Sequence, residues 1–289
     1  MRQMCCSRVN ILSQLDLRDY IIYHCVIKID MANIISTEDA MGDIKDIILK
    51  AGILLKKQYI DLKTYTTKEK YDLVTQCDYL IEKFLVEEIK LAYPNYSIYS
   101  EECGNIYNKS DSRWIIDPID GTANFVFGVP YFCISVSLEN QGEIIEAYVY
   151  NPIAEEFYYS VKSYCKSFLN GNEIHASQTK EISDCLAVFG FSANFKNINR
   201  YYQEWSYIFE NARKGMPLLS PALNICNVAR GRTDFFIDFG SSMEGHSAAA
   251  LILKNADGEL YNYDFSKWDH KSKGVIATNG QVTLSRYRK

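Results

Sequence analysis

Several signatures that would assign this chain quickly are missing. Its four histidines (24, 175, 246 and 270) form no HExxH pair, no serine stands in GxSxG, and no GxxxxGK[ST] loop occurs. A zinc-peptidase helix, a nucleophile elbow and a nucleotide-cradling P-loop are therefore excluded. No apolar run approaches the roughly 20 residues that a membrane-spanning helix requires, so no membrane partner is expected. Basic residues are in deficit, 31 against 36 acidic ones for a net charge of −5, and none of them form a dense run. This argues against a nucleic-acid partner, and acidic groups gathered in a cleft would favour divalent cations instead. The nine cysteines (5, 6, 25, 77, 103, 133, 165, 185 and 226) contain no CxxC pair and fall mostly in apolar segments. They read as reduced core residues of a cytoplasmic protein, not as disulfide or zinc partners.

At 289 residues, 47% of them hydrophobic, the chain can bury a large core and still form a cleft. Residues 1–30 have weak periodicity and no signal-peptide pattern, and read as a poorly ordered extension. From Met31 to residue 289 a single catalytic domain of two closely joined subdomains is expected. After Ser36 the apolar spacing of Ile44, Ile47, Ile48, Ala51, Leu54 and Leu55 predicts a helix. Thr75 and Asp78 resemble a capping box opening a second helix through Ile89, with Pro94 beyond it.

Past Tyr96 the reading turns to strands: YSIYSEE, RWIID, FCISVSL, EIIEAYVY and EEFYYSV, then a hairpin at Asn170-Gly171. The second half alternates. It predicts a strand at 186–191, a helix at 198–213, a helix from Pro221 to Arg230 closed by Gly231, a strand in TDFFID, a helix from Ser247 to Asn255 and a strand from Gly274 to Ala277. Runs of strands followed by alternation imply an α+β protein of layered sheets and helices, with its site where the subdomains meet.

The chemistry concentrates in WIIDPIDGTANF, residues 114–125. Asp117 and Asp120 flank Pro118 and Ile119 at the end of an apolar strand, where the chain is expected to leave the sheet and turn. Two aspartates so close repel unless a cation neutralises them. Gly121 permits close backbone approach to a ligand, and Thr122 can open a helix whose free N–H groups meet an anion. Hard oxygen ligands of this type hold Mg²⁺, which polarises phosphoryl oxygens and acidifies water. Glu101, at the end of another strand, reaches the same ions if the two strands are neighbours. Asp72, Thr75 and Asp78 form a third polar cluster, either supporting the metal site or capping the helix.

At these residues the chain resembles the inositol monophosphatases and their sugar-phosphatase relatives, from about Met31 to Gly280. DLVTQCD, SEE, WIIDPIDGTANF, ALNICNVARGRTDFF and GVIATNG fall in that family's order. The resemblance implies a layered α-β-α-β-α sandwich, a homodimer, and a small phosphorylated polyol or sugar as substrate. It also implies that Glu101, Asp117 and the Ile119 carbonyl bind one Mg²⁺, and that Asp117 and Asp120 bind a second. Glu101 and Thr122 would orient water, with Asp120 in the catalytic set. Gly121 and Thr122 would offer N–H groups to phosphate, and Asp238 would contact substrate hydroxyls.

The departures from the family pattern are equally specific. Where the family places Trp-Asp before its last catalytic helix, this chain has Glu244-Gly245. The carboxylate that completes the second metal site is absent, and Glu244 or His246 is the candidate to replace it. Leu219 and Pro221 stand where small residues adjoin the substrate. A phosphatase for bisphosphorylated nucleotides or sugars, drawing on Lys68, Lys70, Arg230 and Arg232, is the alternative activity. A homologue weakened by Gly245 is the alternative of a different class.

Overall fold

The computed structural model describes residues 42–61, 66–69, 72–190, 198–238 and 240–287. The expected extension at 1–30 and the helix-start signals Ser36 and Glu38 lie outside them. One compact unit covers Asp43–Lys289.

Its first helix, α1 (Gly42–Asp61), buries Ile44, Ile47, Ile48, Ala51, Leu54 and Leu55, the face that the apolar spacing predicts. A small hairpin follows, β1 (Thr66–Glu69) with β2 (Asp72–Val74). The second helix, α2 (Gln76–Ala92), opens with the predicted capping box. The Thr75 hydroxyl accepts from the Cys77 and Asp78 amides, while Asp78 accepts from the Thr75 amide at 2.7 Å.

Eight strands then build the larger sheet: β3 (Ser97–Ser100), β4 (Gly104–Ile106), β5 (Ser112–Asp120), β6 (Cys133–Asn140), β7 (Glu143–Asn151), β8 (Glu156–Val161), β9 (Lys166–Leu169) and β10 (Asn172–Glu173), with α3 (Thr122–Val126) between β5 and β6. Their spatial order is β10-β9-β8-β7-β6-β5-β3-β4. The predicted Asn170-Gly171 hairpin is present, both residues having positive φ (49° and 83°).

The smaller sheet has the order β12-β11-β13-β15-β14. It is made of β11 (Leu186–Phe189), β12 (Lys214–Pro217), β13 (Phe235–Asp238), β14 (Glu259–Tyr261) and β15 (Val275–Thr278). The helices of this half are α4 (Ile198–Glu204), α5 (Ser206–Asn211), α6 (Pro221–Ala229) and α7 (Met243–Lys254). The single helix expected over 198–213 is thus two short ones, broken at the fully buried Trp205, and 214–217 is an unpredicted edge strand. Helix α7 begins four residues earlier than the apolar pattern alone indicates, which places Glu244 and Gly245 in its first turn.

Helices α6 and α7 are apolar on nearly all sides because they lie between the two sheets. Ala222, Leu223, Ile225, Cys226, Ala248, Ala249, Ile252 and Leu253 pack there against Ala147, Val149 and Tyr158 of the larger sheet and Val188, Phe236 and Val275 of the smaller. Helices α1 and α2 cover the outer face of the larger sheet, and Tyr201, Trp205 and Ile208 cover the smaller. The result is the layered α-β-α-β-α sandwich.

Candidate active site

The site is set by the end of β5. In a regular strand, residues three apart point to opposite faces. Asp117 pairs with Ser135 and Asp120 with Cys133, so three steps on β5 match two on β6. The resulting bulge places both carboxylates on the same side. This corrects the expectation that the chain leaves the sheet at Asp117: the strand runs on to Asp120, and the bulge, helped by Pro118 with no N–H to pair, presents the aspartates together.

Each aspartate is tied to the protein by one oxygen. Asp117 Oδ1 accepts from the Ile119 amide at 3.1 Å. Asp120 Oδ2 accepts from the Ser220 hydroxyl, from the Ala222 amide at 2.9 Å and from the Cys133 thiol at 3.6 Å. The other two oxygens turn to one spot. A Cβ placed on Gly245 would stand 3.5 Å from Asp120 Oδ1 and 3.8 Å from Asp117 Oδ2.

Both side chains are buried, 5% and 4% exposed, and both have pKa values raised well above the usual carboxylate range. Burial is the main cause for each. For Asp117 the charges of Glu101, Asp120, Glu244 and Asp78 add to it; for Asp120 the bonds from Ser220, Ala222 and Cys133 work against it. A divalent cation relieves such a pair, and the two converging carboxylate oxygens are hard donors of the kind it prefers.

Glu101 is close for a topological reason. Strands β3 and β5 are parallel neighbours with Ser100 opposite Ile116, so the next residues, Glu101 and Asp117, emerge side by side. The Glu101 amide donates to the Ile116 carbonyl at 3.2 Å. Glu244 lies within electrostatic range of Asp117 and Tyr99, with its carbonyl accepting from Ser135 at 3.4 Å. Even so, among the described residues no three His, Cys, Asp or Glu side chains converge as a metal-binding cluster. The aspartates converge with each other, and the place where a third carboxylate would join them is Gly245.

Thr122 Oγ1 is 3.0 Å from the Ile119 carbonyl and 3.3 Å from Asp78 Oδ1. Asp78 therefore serves both expected roles, capping α2 and meeting the site. The side chain of Asp72 lies outside the described residues. Gly121 has φ +96°, and a Cβ there would be 2.8 Å from the Leu219 carbonyl, so glycine is required where α6 and the loop before β6 close on the turn. Asp238 is fully buried and accepts from the Gly240 and Ser241 amides at 3.3 and 3.0 Å.

His246 is also fully buried, with its Nε2 2.9 Å from the His270 carbonyl and its Nδ1 3.4 Å from the Ser241 hydroxyl, so both ring nitrogens have partners within the protein. Burial holds its pKa down to about 4. Sequence reasoning missed Ser220 and Cys133. The Ser220-Pro221 step signals a helix start, but nothing in it names Asp120 as the partner.

A sequence profile of the inositol monophosphatase family matches residues 39–289. The chain belongs to the inositol monophosphatase family. Inositol monophosphatase 3 of Solanum lycopersicum is 31% identical over 241 residues, which cover 81% of this chain and 89% of that protein. A Thermotoga maritima protein named fructose-1,6-bisphosphatase/inositol-1-monophosphatase is 33% identical, over 73% of this chain and 79% of its own length. Among solved structures, extragenic suppressor protein suhB of Bartonella henselae superposes with a TM-score of 0.79 at 28% identity, covering 83% of this chain and 94% of that one. The chain is thus a phosphoric monoester hydrolase of the inositol monophosphatase type, acting on a small phosphorylated substrate.

Proposed function

We propose that this protein is a Mg²⁺-dependent phosphomonoesterase acting on inositol 1-phosphate or a related phosphorylated polyol or sugar. The observation that carries this reading is the convergence of Asp117 Oδ2 and Asp120 Oδ1 on one spot in the bulge at the end of β5. Mg²⁺ bound there supplies Lewis acidity to the phosphoryl oxygens and eases ionisation of a water. Glu101, Asp117 and the Ile119 carbonyl hold one ion. Asp117 and Asp120 would hold a second, with Glu244, whose charge reaches Asp117, as the candidate to complete it.

The backbone N–H groups of Gly121 and Thr122 receive the phosphate. Glu101 and the Thr122 hydroxyl orient the attacking water. When Thr122 donates to Asp78 Oδ1, 3.3 Å away, its oxygen can accept a hydrogen bond from that water, and as the water's proton passes to Thr122 Oγ1 the hydroxyl's own proton passes to Asp78. Asp238 remains a candidate for substrate hydroxyls by resemblance alone, since its oxygens serve the turn at 240–241. The six described cysteines are all free, in keeping with a cytoplasmic protein, and the resemblance supports a homodimer.

One observation favours monophosphates over bisphosphates. Arg230 and Arg232 both pair with Glu156, at 2.5 and 3.3 Å, so a second phosphate would have to draw them from it; the side chains of Lys68 and Lys70 lie outside the described residues. Phosphate release from a panel of inositol, sugar and nucleotide mono- and bisphosphates, with and without Mg²⁺, tests the proposal. Turnover of a polyol or sugar monophosphate supports it. Turnover of bisphosphates alone, or of nothing in the panel, overturns it and favours respectively the bisphosphatase or the weakened homologue.

A further inference from the structure

Helix α2 carries two buried carboxylates one turn apart on the same face, Asp78 and Glu82, each 1% exposed. Asp78 meets Thr122, as described. Glu82 is engaged elsewhere. Its Oε1 accepts from two consecutive backbone amides, Glu102 at 2.9 Å and Cys103 at 3.0 Å, and its Oε2 accepts from the Cys103 thiol at 2.9 Å.

A buried carboxylate is costly unless its lone pairs are satisfied, and this one is satisfied almost wholly by the turn at 101–103. That turn begins with Glu101. On its other side it is fixed by the bond from the Glu101 amide to the Ile116 carbonyl, 3.2 Å. The turn is thus pinned from β5 on one side and from α2 on the other.

We infer that Glu82 is a positioning residue for the reaction: by clamping the Glu102 and Cys103 amides it fixes the Glu101 carboxylate beside Asp117. The inference rests on the reading of Glu101 as a cation ligand. Since Asp78 and Glu82 share one helix face, α2 sets Glu101 and Thr122 in register with each other. The two walls of the site, from β3 and from α3, are aligned by one rigid element.

The test is a double-mutant cycle of Glu82→Ala and Glu101→Gln, read by Mn²⁺ affinity in a spin-resonance titration and by backbone amide exchange in the metal-free protein. Glu82→Ala is expected to weaken Mn²⁺ binding about ten-fold or more and to speed exchange at Glu102 and Cys103. Glu82→Gln, which keeps an acceptor for both amides, restores most of that affinity. In a Glu101→Gln background, Glu82→Ala costs little further, because the two act through one ligand.

Independent, additive losses would overturn the inference, as would unchanged affinity in Glu82→Ala. If Glu82→Ala does not fold, Glu82→Leu, of similar volume, replaces it. Failure of both to fold would place Glu82 in the folding core and overturn a positioning role. The underlying reading fails separately, through wild-type Mn²⁺ affinity in Glu101→Gln or Asp117→Asn.

Discussion

Gly245 stands where a third carboxylate would meet Asp117 and Asp120. It has no positive φ, sits at the third position of α7, and has only the two aspartate oxygens within 4 Å of its missing Cβ, at 3.5 and 3.8 Å. An aspartate therefore fits there sterically and suits a helix N-terminus. Gly245→Asp is expected to bind divalent cations about ten-fold or more tightly, measured by Mn²⁺ titration. Without metal it should melt below the wild type, because a third carboxylate joins two that already repel. Equal affinities would mean that Glu244 already completes the site. Part of this was legible in the sequence: the string from Trp114 to Phe125 singled out the two aspartates, and the resemblance by motif set Gly245 where a carboxylate is expected. What was not legible is the orientation. Ser220 is 100 residues from Asp120 in sequence, and only the packing of α6 against the end of β5 makes it the group that turns Oδ1 outward.

Among the elements, the turn between β5 and α3 is the least tolerant. Gly121 combines φ +96° with neighbours at 2.8 and 3.1 Å, including the carbonyls of Leu219 and Tyr131. Gly121→Ala is expected to cost about 2 kcal/mol or more in a denaturant titration, from strain and from the displaced backbone of α6. It should also lower activity more than stability alone explains, because Ser220 and Ala222 hold Asp120. A loss within a few tenths of a kcal/mol would show that the turn can relax. Elements with strong periodic patterns, such as α1 and α2, were readable because burial follows helical spacing. Those decided by tertiary contacts were not. The start of α7, the break at Trp205 and the edge strand β12 depend on neighbours remote in sequence. The bulge at Pro118 was hinted at by proline, but its effect on the two aspartates required the register with β6.

For the whole molecule, the larger sheet and the helix layer packed against it each contribute residues to the site. The larger sheet supplies Glu101, Asp117 and Asp120, and the central helix layer supplies Gly245 and the Ser220 clamp. Layered sheets and helices were expected from runs of strands followed by alternation, and the α-β-α-β-α order from the family resemblance; the site's geometry follows from where β5 ends against α6 and α7. The pairing of Arg230 and Arg232 with Glu156 likewise shows that basic residues near a motif can be engaged by an acidic partner within the protein. The central claim is that Asp117 and Asp120 together hold the cation on which phosphate release depends. Its most direct test is release of phosphate from inositol 1-phosphate across a Mg²⁺ titration, comparing the wild type with Asp117→Asn. The account predicts release that rises with Mg²⁺ in the wild type and falls by at least about a hundred-fold in the variant. Release independent of Mg²⁺, or equal in the two proteins, would contradict it.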